Sequence, residues 1–285
     1  MPGGEGNPLW YARRLRAMGP RQILARTRRA LMLRRWARRR DWSAPPAETT
    51  LLSTTPVERP DQASNQAERD RLIEEAERLL NHRYHLLGLA YTESPIDWHR
   101  DPQTGVRAPL TFGPGINYRD PAVAGNVKNT WEKNRHHHLT QLAAAYHLTG
   151  DAQYADRVAD QLADWVQSNP VPRGVNWTSA LELGVRLIAW VWIEKYLRGH
   201  PRHAELFGPD GLLWPSIYWH HTFCDRLSSH GSSANNHLIG ERAGLFCAAD
   251  AWPVFPESKR WRDRARAGLE REAVNQTYPS GLNRE

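Results

Sequence analysis

From residue 66 onward, apolar side chains recur every three to four positions, with polar residues between them. That period predicts amphipathic helices almost throughout. A first, short helix covers 66–81. A longer one runs from about Val127 to Leu148 and is closed by Gly150, a residue suited to the left-handed turn after a helix. Asp151 is placed to cap the next helix, which ends before Asn169-Pro170. Further helices cover about Thr178–Leu197, Trp214–Leu227, Ala234–Ala249 and Glu257–Val274. The short links between them favour antiparallel neighbours. No strand pattern competes, so the predicted body is all-α, built of helical hairpins. Residues 92–125 break the pattern with five Pro and several Gly. A loop region of this length in a compact domain predicts a functional role.

Two helices carry polar residues where the pattern asks for apolar ones. In the helix from Thr178, Leu181, Val185, Ile188 and Trp192 form one apolar face, and Leu183, Trp190 and Ile193 lie opposite. A helix apolar on most sides is buried on most sides. Glu182 and Arg186 sit four apart on it, at a spacing that allows them to pair. In the preceding long helix, Arg135 falls in line with Trp131 and Leu142. Its guanidinium points at an apolar seam and needs an anion there, either Glu132 or a carboxylate from outside.

Charge divides the chain. Residues 1–40 hold twelve Arg and a single acid, Glu5, whereas the remainder holds 26 basic and 30 acidic residues. Residues 1–40 read as an Arg-rich amphipathic leader, 41–61 as a Pro/Ser/Thr linker, and 62–285 as the folded domain. The leader suits peripheral contact with an anionic membrane surface. The acidic body argues against nucleic acid as a partner. The leader lacks the continuous apolar stretch of a secretory signal. No apolar run approaches transmembrane length. Cys224 and Cys247 are too few for a disulfide scaffold. The thirteen Trp fit either large helical packing or a sugar-binding cleft.

The run His136-His137-His138 does not read as a metal site, because successive helix positions point about 100° apart. Trp219-His220-His221 reads as a helix face with one His turned inward. No phosphate loop or dinucleotide fingerprint occurs, so no cofactor is expected. Glu132, Glu182 and Glu241 could serve an inverting glycosidase, but their spacing selects no pair. The stretch Ser232 to Glu241 is more suggestive. Ser232 or Ser233 can cap a helix whose first turn carries Asn235, Asn236 and His237. A helix N-terminus offers free N–H donors and partial positive charge, and so suits a carboxylate, sulfate or phosphate.

Three segments in order carry a family resemblance. They are Asn129-Thr130-Trp131-Glu132-Lys133-Asn134-Arg135, then Asn176-Trp177-Thr178-Ser179-Ala180-Leu181-Glu182 with Arg186, then Ser233-Ala234-Asn235-Asn236-His237-Leu238. Together they resemble the N-terminal toroid domain of heparinase II/III polysaccharide lyases over roughly residues 65–285. The pattern is also similar to that of certain alginate lyases. The resemblance implies an incomplete α/α toroid followed by a β-sandwich region. It implies β-elimination on a uronate-containing acidic polysaccharide. Asn236 and His237 match the positions that neutralise the uronate carboxylate. That step stabilises the charge developing when the C5 proton leaves. Asn235, Trp131, Arg135, Trp177, Glu182 and Arg186 are then expected to bind substrate.

A base must take that proton and an acid must protonate the leaving oxygen. In the family the acid is a Tyr shortly after a Gly-rich turn. The segment Tyr278 to Glu285 resembles the approach to it. The expectation is that this Tyr and the sandwich lie beyond Glu285, leaving this chain weakly active or inactive alone. A non-catalytic glycan-binding toroid is the alternative. The resemblance suggests the periplasm, although without a visible signal a cytoplasmic location stays open.

Overall fold

A computed structural model describes residues 20–53, 55–58, 65–229 and 234–283. The chain divides into two units, Met1–Trp42 and Ser43–Glu285. In the first, helix α1 spans Pro20–Arg38 and carries no acid. Ile23, Leu24 and Leu31 stand exposed among its arginines. Residues 1–19 of the predicted leader lie outside the described residues. No described helix is long and apolar enough to cross a membrane.

The first α-helix of the second unit is α2 (Gln66–Leu80). Where helices alone were expected, a hairpin follows: β1 (Arg83–Leu86) pairs antiparallel with β2 (Leu89–Thr92). Its two-residue turn, Leu87-Gly88, has positive φ at both positions, the geometry that matches strand twist. Tyr84 and Tyr91 face each other across it, ring centroids 5.4 Å apart. Each arm is only four residues long, too short for alternation to stand out from a helical period. Among the described residues this hairpin is the only sheet.

Next come the one-turn helix α3 (Pro121–Ala124), α4 (Val127–Asn134), α5 (His137–Thr149) and α6 (Ala152–Ser168). These are followed by α7 (Ala180–Leu197), the short α8 (His203–Phe207), α9 (Trp214–Arg226), α10 (Asn236–Ala251) and α11 (Ser258–Asn275). Two predicted signals act as expected. Gly150 closes α5 with φ 78°, and the Asp151 side chain accepts from the Gln153 N–H at 3.1 Å. The helix expected over 127–148 is instead two helices. Arg135 ends the first, and His136 turns left-handed at φ 64°. That conformation costs a non-glycine residue about 1 kcal/mol or more, and buried bonds hold it. The Trp190 indole N–H donates to His136 Nδ1 at 2.9 Å. The Arg186 Nε–H donates to the Asn134 carbonyl at 2.6 Å.

The hairpins run antiparallel. Asn134 at the head of the α4–α5 break meets Trp165 near the end of α6, and His138 meets Gln161. Cys224 near the end of α9 reaches the Ala180 carbonyl at the start of α7. Helices α5, α7 and α10 consequently run parallel. A Cβ added at Gly240 would fall 2.5 Å from Leu181 Cδ1, and one at Gly244 would collide with the Gly184 backbone. Numbers rise together along both helices. Likewise Arg135 meets Glu182 at one end of the α5–α7 pair, and His147 meets Tyr196 at the other. This layering is the incomplete α/α toroid expected from sequence.

The thirteen Trp mostly pack this toroid. Trp98, Trp165, Trp177, Trp190, Trp214, Trp219, Trp252 and Trp261 are all buried. Glycine permits the close α7–α10 approach. We expect Gly244→Ala to lower stability by about 2 kcal/mol through overpacking, which for a domain of this size lowers Tm by roughly 4–8 °C. A thermal scan with unchanged Tm would refute the tight contact.

Candidate functional site

The three segments singled out in the sequence meet at one edge of the toroid, where α7 and α10 begin and α4 breaks into α5. Most of their polar side chains are fastenings. Asn129 donates to Asp101 and Gln103, both at 3.0 Å. The Trp131 indole donates to the Val175 carbonyl at 3.1 Å. Lys133 is buried with Glu93 at 2.8 Å and also donates to the carbonyls of Asp97 and Arg100. Burial lowers the Lys133 pKa, and the Glu93 carboxylate opposes that shift. Asn134 donates to the Trp98 carbonyl and accepts from the Trp165 indole. The long loop before α4 is thus clamped against the helix break.

Arg135 finds its anion inside the protein. Its Nε and Nη2 donate to the two Glu182 oxygens at 2.8 and 3.0 Å, and Nη1 donates to Glu132 at 2.8 Å. The Glu182 hydrogen bonds lead in raising the Arg135 pKa. The Arg135 side chain is 28% exposed and Glu182 only 2%. Glu132 is also held anionic, foremost by His137. Two of the five guanidinium N–H groups stay uncommitted to these carboxylates.

Several expected substrate contacts are corrected by burial. Trp177 is fully buried, 4.7 Å from the His220 ring and 5.3 Å from Phe223. Arg186 is also fully buried and does not pair with Glu182, since that carboxylate is turned to Arg135. Its Nη1 instead donates to His220 Nε2 at 2.9 Å, and its guanidinium lies 4.7 Å over Trp165. Burial pulls its pKa down to about 9. Glu182, Trp177 and Arg186 therefore shape the site from behind rather than touch a ligand. Asn176 does the same, joining the Trp98 carbonyl to Asn169. Polar residues buried in a tryptophan-rich layer were the only sequence signal for this role.

At the start of α10, Asn235 is the cap: its Oδ1 accepts from the His237 N–H at 3.2 Å. Ser232 and Ser233, expected as caps, lie outside the described residues. Asn236 and His237 are exposed. Beneath them, buried Glu241 accepts from the Ser229 N–H and hydroxyl, both at 2.7 Å. From α11, Gln276 donates to the Ala234 and Asn235 carbonyls. The first turn of α10 is thus fixed from two sides while its side chains face solvent.

The histidine runs serve the core. His136 and His138 are buried and His137 is exposed. His138 meets Gln161 at 3.2 Å. In the second run both His220 and His221 turn inward, not one. His220 Nδ1 donates to the Ser216 carbonyl, so its Nε2 is the lone pair that receives Arg186.

Chemically, this edge offers parallel helix starts, two exposed amide and imidazole donors, and a partly open guanidinium. Comparisons with known proteins supply the family. The heparinase II/III N-terminus family model matches residues 31–285. A heparin-sulfate lyase of Pedobacter heparinus is 27% identical over 183 residues, covering 61% of this chain and 26% of that protein. One from Bacteroides stercoris is 24% identical over 192 residues, covering 62% and 29%. The chain thus spans a little over a quarter of the length of these relatives. In fold, it matches the crystal structure of heparan sulfate lyase HepC from Pedobacter heparinus with TM-score 0.56 and 22% identity, covering 91% of this chain and 36% of that one. A heparinase III structure matches with TM-score 0.54 and 20% identity, covering 90% and 35%. The family match runs through all three segments that build this edge, and the chain belongs to the heparinase II/III family as its N-terminal helical domain.

Proposed function

We propose that this domain binds a uronate-containing acidic polysaccharide and takes part in its cleavage by β-elimination. The observation that carries the reading is that α7 and α10 run parallel from one edge, with Arg135 bound to Glu182 at the start of α7 and exposed Asn236 and His237 at the start of α10. Helix N-termini and fixed donors stabilise a carboxylate, and more so as charge builds on it during loss of the neighbouring proton. Asn236 and His237 are the groups assigned to that carboxylate. Arg135, held by Glu182 and Glu132, orients a second acidic group through its open N–H bonds. Asn235 sets the helix start, and Trp131 walls the edge beside Tyr118. The heparin-sulfate lyase names of the two relatives support this substrate class.

The test is a calorimetric titration of this chain with uronate oligosaccharides, joined to an ultraviolet assay for unsaturated product ends with the chain alone and within any longer polypeptide that carries it. Binding with unsaturated product supports the reading. Binding without product in either form favours a glycan-holding toroid, and saturated products indicate a hydrolase. No binding and no product from any uronate glycan would sink it. Asn236→Ala is expected to cut kcat about 10²-fold, the scale of losing one such donor. Because Asn236 is exposed, its Tm should stay within a degree or two of the parent's. Unchanged kcat would remove its assigned role.

A further inference from the structure

We propose that the groove between α2, α5 and α7 is a second glycan-binding surface that takes the continuation of an acidic oligosaccharide, with Trp192 as its stacking platform. This rests on the reading above and extends it from one edge to a path. The motivating feature is an indole out of place. Trp190 on the same helix is fully buried, yet Trp192 is 46% exposed. Its ring is held in a fixed orientation by offset stacking on Tyr196, centroids 5.6 Å apart and planes 28° apart. The Lys195 ammonium lies 5.4 Å from its centroid. His147 stands 5.1 Å from Tyr196.

The groove in front has a cavity volume of about 440 Å3, within the range of small-molecule sites. Its floor is apolar, from Val185, Ile188 and Ala189, and its polar lining is Thr140, Gln141 and His137, with no carboxylate. An apolar floor suits the C–H face of a pyranose. Hydroxyl, amide and imidazole groups suit its rim, and Lys195 suits its acidic substituents.

The groove is also continuous with the first edge. His137 lines it and contacts Glu132 at 3.6 Å, the same carboxylate that receives Arg135. From Glu182 to Trp192, α7 advances ~15 Å, a reach of several sugar rings. A chain anchored by a carboxylate at Asn236 and His237 can thus run past Arg135 and along α7.

The experiment uses this chain uniformly labelled with 15N and read at its indole and imidazole nitrogens, with His237→Gln assigning the His237 signals. Trp192→Phe assigns the Trp192 N–H resonance, and heparin-derived disaccharide and hexasaccharide are titrated in turn. The hexasaccharide should move the Trp192 resonance, and the disaccharide should move His237 alone. Trp192→Ala should weaken the hexasaccharide about tenfold, an aromatic contact of ordinary strength, and leave the disaccharide unchanged. A Trp192 resonance that stays still at saturating hexasaccharide, while His237 responds, would overturn the groove and spare the edge. A shift on dilution without sugar would assign the groove to a second copy of this chain and overturn the glycan role. No response of either residue to either sugar would overturn both readings together.

Discussion

Lowering the pH from 7 toward 4 is expected to destabilise the helical domain strongly. Its core holds imidazoles that must stay neutral. Burial pushes the pKa of His138 and His221 down to about 4. The same cause, with the Arg186 charge second, holds His136 and His220 well below the ordinary value of 6.5. His99 is shifted the same way by burial. The unfolded chain takes up protons near pH 6.5, before the folded one does, so in that window it binds more of them and gains stability as pH falls. The stability from neutral His is therefore whole above pH 6.5, is lost below it, and the loss is complete only below about pH 4. One pKa unit is worth ~1.4 kcal/mol, so His138 and His221 each withdraw on the order of 2 kcal/mol by pH 5. His136 and His220 add to this in the same direction. Against a stability of about 5–15 kcal/mol, that sum is a large fraction. Near-ultraviolet circular dichroism between pH 8 and 4 at constant ionic strength reads it directly. A signal that stays flat to pH 4 would show that these rings are not buried as neutral groups. His221→Phe keeps a ring against Trp261, now 4.9 Å from His221, and should move the midpoint to lower pH.

Arg135→Ala should be the most damaging substitution at the candidate site. It leaves the Glu182 carboxylate buried without the two charge-assisted bonds that hold it, an error that costs ~3–5 kcal/mol. Glu182→Ala should cost far less, about 1 kcal/mol, because Arg135 keeps Glu132 and some water. The double variant should resemble Glu182→Ala rather than the sum. A double-mutant cycle in denaturant measures the coupling, and additive losses would show that the pair does not join α4 to α7. In the lyase reading both single variants lower activity, since the pair sets where the helix break sits beside the start of α7.

Much of this domain was legible from residue 66 onward because its helices are amphipathic and individually punctuated. Gly150 and Asp151 act through bonds to residues within four positions, so local sequence was enough to place them. Three features were not legible. The break at His136 is enforced by Trp190 and Arg186, fifty or more residues away, while the apolar period runs through it undisturbed. The hairpin at Arg83–Thr92 depends on a Leu-Gly turn and on one pair of tyrosines across it. Arg135 takes Glu132 as expected but also Glu182, which leaves Arg186 to His220, since spacing on one helix says nothing of a carboxylate or imidazole brought in from another.

By itself, the sequence determined the helical class, the helix ends set by nearby residues, the basic character of residues 1–40, and the three segments that mark the candidate site. Only the tertiary structure decided which members of those segments face solvent. Asn236, His237 and part of Arg135 do, whereas Trp177, Glu182 and Arg186 are sealed inside. The reason is physical. Periodicity records that a residue lies on a face, but burial and charge pairing are set by what the other helices place against that face. Here those partners come from Trp98, Glu93, Trp165 and His220, on separate elements that meet only when the hairpins close.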